Sequence, residues 1–549
     1  MAASGPFVLM MMQHYAAKPY MPHKEPAAPP AAPLREAGNS RKAVLLLIGF
    51  FTLARLLLAT VIELGNDETY YWLYTRYLQW NYFDHPPLVA VWSRLFSGNG
   101  ALDAYEIFVR LGSIAGAALA TWAMYRAAAL LYSEKAGWYA AVLYNTSLYA
   151  GLVAGLLIMP DSPQMVCWTC SIWMFARVIM KGGGWKDWIL FGLFAGLCIM
   201  SKVHGVFLWG GVGLYVLLHQ RGWLLRPQVY AALLVSLIVV SPIFFWNLQY
   251  DFATYKFHSQ RVVVNGWTLN LKSFLEEVLG QIFFNNPVNF LLAATAVVTG
   301  WRWMHRLRHR FSFLAYTALP LMVVLLYLSL FRTVYPHWSG PAYVSLIPVS
   351  AAFLARRSPL QQIFPKWIKA ALVATLLFMA GWPLVLRHYP GTWGKEEGIA
   401  LGTGDVSLDR YGWKTAGKLF AQYYEAQIQN GAIAPNTPLV CNTWWGAHVE
   451  YYFGKPANAT MMGLGALQQI HHYQWTNSLR KDTVNMQQAF CIVPSDEWQD
   501  PAITFRNYYQ TIAPVKRITL YRKGLVARHF YVYRLAGWKG GLPLELEKK

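Results

Sequence analysis

The sequence predicts a mainly α-helical, polytopic membrane protein with a small α/β domain at its C-terminal end. Of the 549 residues, 56% are hydrophobic and only 13% are charged. Soluble domains carry roughly 25% charged residues, about twice that fraction. The apolar residues fall in about eleven runs between residues 41 and 387. After residue 387 the pattern changes to short strand-like runs and an amphipathic helix.

The N-terminal segment, residues 1–40, is rich in Ala and Pro and is predicted to be a disordered cytoplasmic tail. The first apolar run, at 43–64, follows it and is expected to act as an uncleaved signal-anchor. Arg55 lies well inside this run. A buried arginine is costly in a membrane, so we expect an acid, either Glu63 or one near the site, to pair with it.

Ten further apolar runs follow, some shorter than the roughly 20 residues that a spanning helix needs. Asn285, Asn286 and Pro287 interrupt the eighth span and mark a break in it. The ten runs lie at 104–131, 137–158, 163–180, 188–201, 204–219, 229–247, 278–300, 312–331, 339–355 and 367–386.

The distribution of charge orients these spans. The net charge is +21, but the basic residues fall mostly between apolar runs, which indicates membrane topology rather than nucleic-acid binding. Lys and Arg are concentrated in the loops on the side of the N-terminal tail, and most acids fall on the other side. The sequence therefore predicts a multi-pass protein of the inner membrane, with residues 41–387 in the bilayer and residues 388–549 on the periplasmic side.

The C-terminal region is predicted to be an α/β domain. An amphipathic helix is expected within 402–430, a short helix at 445–453, and strands at 438–442, 489–493, 518–522 and 529–534. The aromatic residues of the helix at 445–453 either cover the membrane site or form the core of this domain, and we favour the core. Cys441 and Cys491 are able to pair only if they lie close together in an oxidising compartment.

Residues 66–90 are the most informative stretch of the chain. They follow the first span directly and combine carboxyl and imidazole groups with many aromatic rings. Charges held against apolar rings at a membrane surface either titrate or find partners, which is one way to make a general base. The alternative is an interfacial anchor helix whose acids face water. The polar and aromatic residues of interest here are Asp67, Glu68, Tyr70, Tyr71, Asp84 and His85.

The order Asp-Glu, Tyr-Tyr-Trp and then Tyr-Phe-Asp-His-Pro-Pro-Leu in this stretch resembles the bacterial protein mannosyltransferases of glycosyltransferase family 39. It is also similar to the lipid A aminoarabinose transferases. The resemblance implies the GT-C fold and a polyprenyl-phosphate sugar as donor. It also implies that Asp67 is the catalytic base.

The resemblance extends to other loops on the same predicted side. Asp161, in Met-Pro-Asp-Ser-Pro, matches an acid close to the family's catalytic centre, although a helix N-cap explains it as well. Lys202 resembles the lysine of a Leu-Thr-Lys-Gly signature, but Val and His separate it here from Gly205. It is expected to hold the donor phosphate.

Two further loops complete the predicted site. His258 and Arg261 match a His-x-x-Arg element and are expected to share a helix face and bind a phosphate, or else to face anionic headgroups. Arg332 and His337 fall where the family has basic or polar groups. His337 is either a ligand of the donor or an interfacial histidine.

The predicted activity is an inverting glycosyl transfer from a polyprenyl-phosphate sugar to a hydroxyl of lipid A, a polysaccharide or a protein. Asp67 is the expected base, with Asp161 and Glu68 as further catalytic residues. Asp161 is expected to position the acceptor or to share the proton of Asp67. Tyr70, Tyr71, Asp84 and His85 are expected to bind substrate. No metal-ligand spacing, phosphate-binding loop or dinucleotide motif is found, so no cofactor is expected to be required, and a divalent cation is left open. The alternative is a transporter or flippase of a lipid-linked sugar, which keeps its ionisable groups near the middle of the bilayer.

Overall fold

The computed structural model describes residues 34–263, 268–303, 308–359 and 362–546. The first helix begins at Leu34, so residues 34–40, predicted to be disordered, are helical, and residues 1–33 lie outside the described part. The helices up to residue 388 are α1 Leu34–Val61, α2 Asn66–Arg76, α3 Leu88–Phe96, α4 Glu106–Leu131, α5 Glu134–Thr146, α6 Ala154–Leu156, α7 Asp161–Lys181, α8 Trp185–Ser201, α9 Val206–His219, α10 Pro227–Gln249, α11 Ala253–Val262, α12 Leu271–Phe284, α13 Pro287–Trp303, α14 Arg308–Ser329, α15 Gly340–Arg357 and α16 Lys366–His388.

Each of the eleven predicted apolar runs is largely helical, but the helices differ in length and polarity. Within the described ranges, six helices are long and apolar enough to cross a membrane. The pair α12 and α13 is bent by 101° and raises the number to seven if it is a single span. The bend falls at the predicted break, where Asn286 has a positive φ and Pro287 begins the next helix. The chain is therefore a multi-pass membrane protein.

Side-chain contacts bring the predicted cytoplasmic loops together at one end of the helices. Lys135 Nζ donates to the carbonyl of Ser358 at 2.9 Å, and Arg226 Nη1 donates to the carbonyl of Gly182 at 2.9 Å. The C-terminal domain packs at the opposite end, against α2 and the loop that follows α1. The C-terminal domain and these loops thus lie at different ends of the helices, and the side of the membrane on which each lies stays a prediction.

Arg55 has a different partner from the one expected. Its Nε donates to the carbonyl of Gly151 at 2.7 Å, and its Nη2 donates to Asn145 Oδ1 at 2.8 Å. The carbonyl is available because the chain between α5 and α6 forms a π-helical turn, Tyr149–Val153. Backbone and amide oxygens therefore satisfy the buried guanidinium, and the predicted pairing with an acid is wrong.

The C-terminal domain is a five-stranded sheet with helices. Its helices are α17 Trp413–Gln429, α18 Gly446–Val449, α19 Lys455–Ala457, α20 Leu467–Ile470, α21 Tyr473–Arg480 and α22 Pro501–Thr504. The strands are β1 Leu439–Cys441, β2 Met461–Gly463, β3 Gln488–Pro494, β4 Tyr509–Arg522 and β5 Leu525–Trp538, in the order β2-β1-β3-β5-β4. Strands β1, β2 and β3 are parallel, whereas β5 is antiparallel to β3 and β4. Strand β2 was not predicted, and β4 and β5 are longer than predicted.

Cys441 and Cys491 are free and buried on neighbouring strands. The register pairs Val440, not Cys441, with Cys491. Successive side chains of a strand point to opposite faces, so a one-residue offset separates the two thiols by the thickness of the sheet. The hydrophobic clusters agree, because Cys441 packs on the face towards α2 and Cys491 on the other. The sheet register thus excludes a bond between them.

Candidate active site

Asp67 lies in the first turn of α2, which is the short helix that follows the first span. The N-terminus of this helix is capped from the C-terminal domain, where Asp409 Oδ1 accepts from the backbone N–H of Asn66 at 2.9 Å. The Asp67 side chain is exposed, whereas the next residue, Glu68, is fully buried. The two acids of the predicted pair therefore have different environments.

The environment of Asp67 makes it a base of near-neutral strength. Desolvation by the surrounding protein, followed by the negative charge of Asp409, raises the pKa of its carboxyl to about 6. The guanidinium of Arg410 and the ammonium of Lys202 oppose this rise. The group stays accessible and is ionised at pH 7, as a general base must be.

Glu68 is fully engaged by its neighbours. Its two oxygens accept from Arg110 Nε and Nη2, each at 2.8 Å, and Arg410 forms a further ion pair with it. Burial alone would raise the pKa of Glu68, but the two arginines lower it to about 2. Since the carboxylate is saturated and remains ionised, it positions α2 against α4 and the C-terminal domain. The structure does not support the predicted direct catalytic role of Glu68.

Asp161 and Lys202 form a buried ion pair at the start of α7 and the end of α8. Lys202 Nζ lies 3.0 and 2.9 Å from the two carboxylate oxygens. Tyr149 donates its hydroxyl to Asp161 Oδ1 at 2.7 Å. Both charged side chains are nearly inaccessible. The predicted acid and the predicted phosphate ligand are thus brought together, and each compensates the other in this structure.

The Asp84–His85 turn places one carboxylate deep in the protein. Asp84 Oδ1 accepts from Tyr70 at 3.1 Å and from Tyr74, and its Oδ2 lies 3.3 Å from His471 Nδ1. Burial opposes ionisation, but the bond to His471 keeps the pKa of Asp84 below its ordinary value. Asp84 and Tyr70 therefore anchor the turn to the C-terminal domain rather than face open space.

Tyr71 and His85 both lie within electrostatic range of Asp84 and Asp161. Their rings meet edge to face at 5.5 Å. Burial, then the charges of Asp67, Asp84 and Asp161, raise the pKa of Tyr71 well above its ordinary value. Burial and the nearby Lys202 charge lower the pKa of His85 to about 3, although Asp84 opposes them. Both residues are thus neutral hydrogen-bonding groups at pH 7.

His258 and Arg261 lie on α11, which rests over the Asp84 turn. His258 Nε2 is 2.9 Å from the backbone oxygen of Asp84. Arg261 is exposed and its guanidinium lies 4.5 Å from the ring of Phe257. Burial lowers the pKa of His258, and the charges of Arg261 and Lys202 contribute in the same direction. The imidazole therefore lies within the field of both predicted phosphate ligands.

Arg332 and His337 lie at the edge of this group. Arg332 donates through Nη1 to the backbone oxygen of Gln260, next to Arg261. His337 lies in the 3₁₀ turn Pro336–Ser339 and interacts electrostatically with Asp161. The structure therefore brings Arg332 to the His258–Arg261 helix and His337 to the Asp161–Lys202 pair.

The C-terminal domain supplies functional residues that sequence reasoning missed. Arg410 pairs with Glu68, His471 with Asp84, and His448 Nε2 lies 2.9 Å from the backbone oxygen of Leu64. His448 also stacks on Trp413 with ring centroids 3.6 Å apart. Each of the three lies more than 300 positions from the residue that it contacts in the 64–84 segment, so spacing gives no signal for it. Among the residues the structure describes, no three His, Cys, Asp or Glu side chains form a metal-binding group.

The chain is similar to known glycosyltransferases. The profile of the dolichyl-phosphate-mannose-protein mannosyltransferases matches residues 84–246, which include Asp84, His85, Asp161 and Lys202. A lipid A galacturonosyltransferase, RgtD of Rhizobium johnstonii, is 23% identical over 384 residues, covering 68% of this chain and 75% of its own length. The chain is a glycosyltransferase that resembles these proteins.

Solved structures of the GT-C glycosyltransferases share its fold. ArnT of Cupriavidus metallidurans in the apo state superposes with a TM-score of 0.58 at 13% identity, covering 91% of this chain and 99% of ArnT. The same protein bound to undecaprenyl phosphate gives a TM-score of 0.58 at 13% identity, with 90% and 99% covered. The resemblance stated from the 66–90 motif is confirmed.

Proposed function

We propose that this GT-C glycosyltransferase transfers its sugar, with inversion, to a hydroxyl of a lipid A-type glycolipid at the periplasmic face of the inner membrane. The observation that carries the proposal is the environment of Asp67, an exposed carboxyl with a pKa raised to about 6. It lies in the short helix that follows the first span, and the ammonium of the buried Asp161–Lys202 pair acts on it electrostatically. A base, an acid–cation pair and neutral hydrogen-bonding groups thus meet at one face.

The reaction needs one proton transfer and one displacement. Asp67 accepts the proton of the acceptor hydroxyl as its oxygen attacks the anomeric carbon. The bond from that carbon to the phosphate oxygen breaks on the opposite face, and the polyprenyl phosphate leaves with the bonding electron pair. The transition state has oxocarbenium character, as in glycoside hydrolysis. Attack from the face opposite the leaving group inverts the anomeric configuration.

The leaving phosphate needs stabilisation of charge. Lys202, Arg261 and Arg332 are expected to supply it, since the charges of Lys202 and Arg261 both act on His258 and Arg332 donates to the backbone next to Arg261. In the donor complex the Lys202 ammonium is shared between Asp161 and the phosphate. Fixed cations in a site that excludes water are expected to contribute a large part of the rate enhancement. Removal of one of them should lower the rate on the order of 100-fold.

Two observations support the proposed side of the membrane and the proposed class of acceptor. Lys and Arg are concentrated in loops at the end opposite Asp67, as the positive-inside rule requires of cytoplasmic loops. The relative RgtD is a lipid A galacturonosyltransferase. A lipid A-type acceptor would lie in the same outer leaflet and reach Asp67 laterally.

Purified protein in liposomes tests the proposal. The donors are radiolabelled polyprenyl-phosphate pentoses and hexuronic acids, and the acceptors are lipid A, a polysaccharide and a Ser/Thr-rich peptide. Transfer to lipid A with stoichiometric release of polyprenyl phosphate is the expected result. Transfer only to peptide or polysaccharide would contradict the acceptor class. Movement of donor across the bilayer without transfer would contradict glycosyl transfer.

A further inference from the structure

The tip of the β4–β5 hairpin, residues 521–525, lies next to the end of the membrane helix α16. Strand β4 ends at Arg522 and β5 begins at Leu525, so Lys523 and Gly524 alone form the turn. Both turn residues have a positive φ, as a tight two-residue hairpin turn requires. The carbonyl of Arg522 accepts from the backbone N–H of Gly391 at 2.9 Å. Gly391 is three residues beyond the last residue of α16, so the tip is held beside the end of this span.

The buried side chain of Arg522 fixes the tip at the level of the last turn of α16. Its Nη1 donates to the carbonyl of Leu386 at 3.3 Å, and its Nε donates to the carbonyl of Gly391 at 2.8 Å. The helix has 23 residues, and about 20 are needed to cross the apolar layer of a bilayer. Its last turn therefore lies near the boundary of that layer, and the exposed Leu384 and Val385 precede it directly.

The exposed side chains around the tip form a continuous apolar surface. Tyr521 and Leu525 flank the turn and are 60% and 59% exposed. Tyr389 and Trp393 are exposed as well, and their rings lie 5.2 Å apart, both against the guanidinium of Arg522. A contiguous exposed apolar surface is typical of an interaction site, and Tyr and Trp are the side chains enriched where a membrane meets water.

The charged side chains near the tip are of both signs. Lys523 in the turn and Arg387 in the last turn of α16 are exposed, and long basic side chains at this level reach lipid phosphates. Glu396 and Glu397 are also exposed, in the loop that follows Trp393. The surface thus matches a bilayer through its apolar side chains and its continuity with α16 more than through net charge.

Arg522 also joins the tip to the turn that holds the catalytic helix. Its Nη2 pairs with Asp405 Oδ2 at 3.0 Å, and its Nη1 donates to Ser407 Oγ at 2.8 Å. Ser407 belongs to the 3₁₀ turn Val406–Arg410, whose last two residues contact α2. A continuous set of contacts therefore runs from the hairpin tip to the helix that carries Asp67.

We propose that the tip of the β4–β5 hairpin docks in the membrane interface at the end of α16. Tyr521 and Leu525 lie among the lipid head groups and the first acyl carbons, and Lys523 contacts a lipid phosphate. The partner is the phospholipid surface of the leaflet at which α16 ends. Docking holds the 3₁₀ turn Val406–Arg410, and with it α2, at a fixed height above the apolar layer.

Spin labels on the full-length protein in nanodiscs of phosphatidylcholine and phosphatidylglycerol test the depth of the tip. The native cysteines are buried, so the label reacts with an introduced thiol, in Leu525→Cys or in Val515→Cys. Val515 is the matched control, an exposed apolar residue of the same hairpin seven positions from Arg522 along β4, or about 24 Å. The Leu525→Cys label should collide more often with molecular oxygen than with a water-soluble nickel complex, and the Val515→Cys label should do the reverse. Water-like accessibility of the Leu525→Cys label would overturn the proposal.

Hydrogen exchange in the same nanodiscs tests the connection to α2. Leu525→Asp places a carboxylate at the edge of the apolar layer, where it is unfavourable, so the tip should leave the membrane. Amide exchange in the Val406–Arg410 turn and the first turn of α2 should then rise about tenfold, while the buried strand β3 and the control Val515→Asp exchange as wild type. Unchanged exchange in the turn, or an equal rise in β3, would contradict the connection. Neither measurement uses turnover, so failure of the docking and failure of the proposed glycosyl transfer are distinguishable.

Discussion

At the scale of single residues, Asp67 and Glu68 show how two adjacent acids acquire opposite properties. Glu68 faces inward, where two arginines pair with it and hold its pKa at about 2. Asp67 faces the open side, where desolvation and Asp409 raise its pKa to about 6. The difference follows from their consecutive places in one helical turn, about 100° apart around the axis.

The pH dependence of the reaction follows from this pKa. Only ionised Asp67 accepts a proton, so kcat/KM should fall as the pH drops through about 6. Asp409→Asn keeps an oxygen that accepts from the Asn66 N–H but removes a negative charge near Asp67. The acid limb of the profile should then move to lower pH. The exposed Asp482→Asn is the control, and an unmoved limb in Asp409→Asn would contradict the assignment of this limb to Asp67.

The two predicted phosphate ligands are coupled through the donor. Lys202→Ala and Arg261→Ala should each raise the Kd of a polyprenyl-phosphate probe, and the double variant should lose less than the sum of the two effects. Lys202→Ala also leaves Asp161 buried without its cation, so the stability of this variant is measured in parallel. The exposed Lys256→Ala on the same helix is the control. Fully additive losses would place the two cations at separate sites.

At the scale of elements, α2 is held between the membrane helices and the C-terminal domain. Arg110 contacts Glu68 from α4, and Arg410 contacts it from the loop before α17. Asp409 caps the first turn from the same loop. A short helix of 11 residues is marginal on its own in water. These tertiary contacts therefore fix its position and that of Asp67.

Glu68→Gln should weaken the contacts that hold α2 between the membrane helices and the C-terminal domain. Two buried arginines lose their counter-charge, and breaking a buried ion pair costs about 3–5 kcal/mol of unfolding free energy. We expect a lower unfolding temperature and faster proteolysis between the membrane domain and the C-terminal domain. Glu276→Gln removes an exposed pair with Lys272 at 3.9 Å and should change neither. Unchanged stability of Glu68→Gln would contradict the positioning role.

The sequence predicted some elements better than others for physical reasons. Long apolar runs and the Asn-Asn-Pro break have strong local signals, and the structure has helices and a bend there. Strand β2 has only three residues, too few for alternation to be recognised. The first half of β4 is exposed and contains Pro514 at an irregularity on the sheet edge, so it lacks the pattern of a buried strand.

At the scale of the whole molecule, the predicted site residues come from loops that the sequence separates widely. Motif order and the family resemblance name Asp67, Asp161 and Lys202 as candidates, and their roles stay predictions. They were insufficient for Arg410 and His471, because only folding of the C-terminal domain onto α2 brings these residues to the site. The pairing of Glu68 also depends on that docking, which explains why its role was not predictable.

The orientation of the C-terminal domain is predicted to be periplasmic. Cys441 and Cys491 are buried, so an impermeant thiol reagent requires an introduced cysteine. Gln487→Cys should be labelled in intact spheroplasts. Lys186→Cys, in a predicted cytoplasmic loop, should be labelled only after permeabilisation. The reverse pattern would place the active-site face in the cytoplasm.

The most direct test of the account is single-turnover transfer by the wild-type protein and by Asp67→Asn, with donor binding measured on the same samples. The substitution preserves size and removes the base, so the rate should fall by about 10²–10⁴-fold while the donor Kd stays within about twofold. Asp482→Asn, on the surface of the C-terminal domain, should transfer at the wild-type rate. Wild-type turnover by Asp67→Asn would contradict its role as the base, and loss of donor binding would show that Asp67 holds the donor instead.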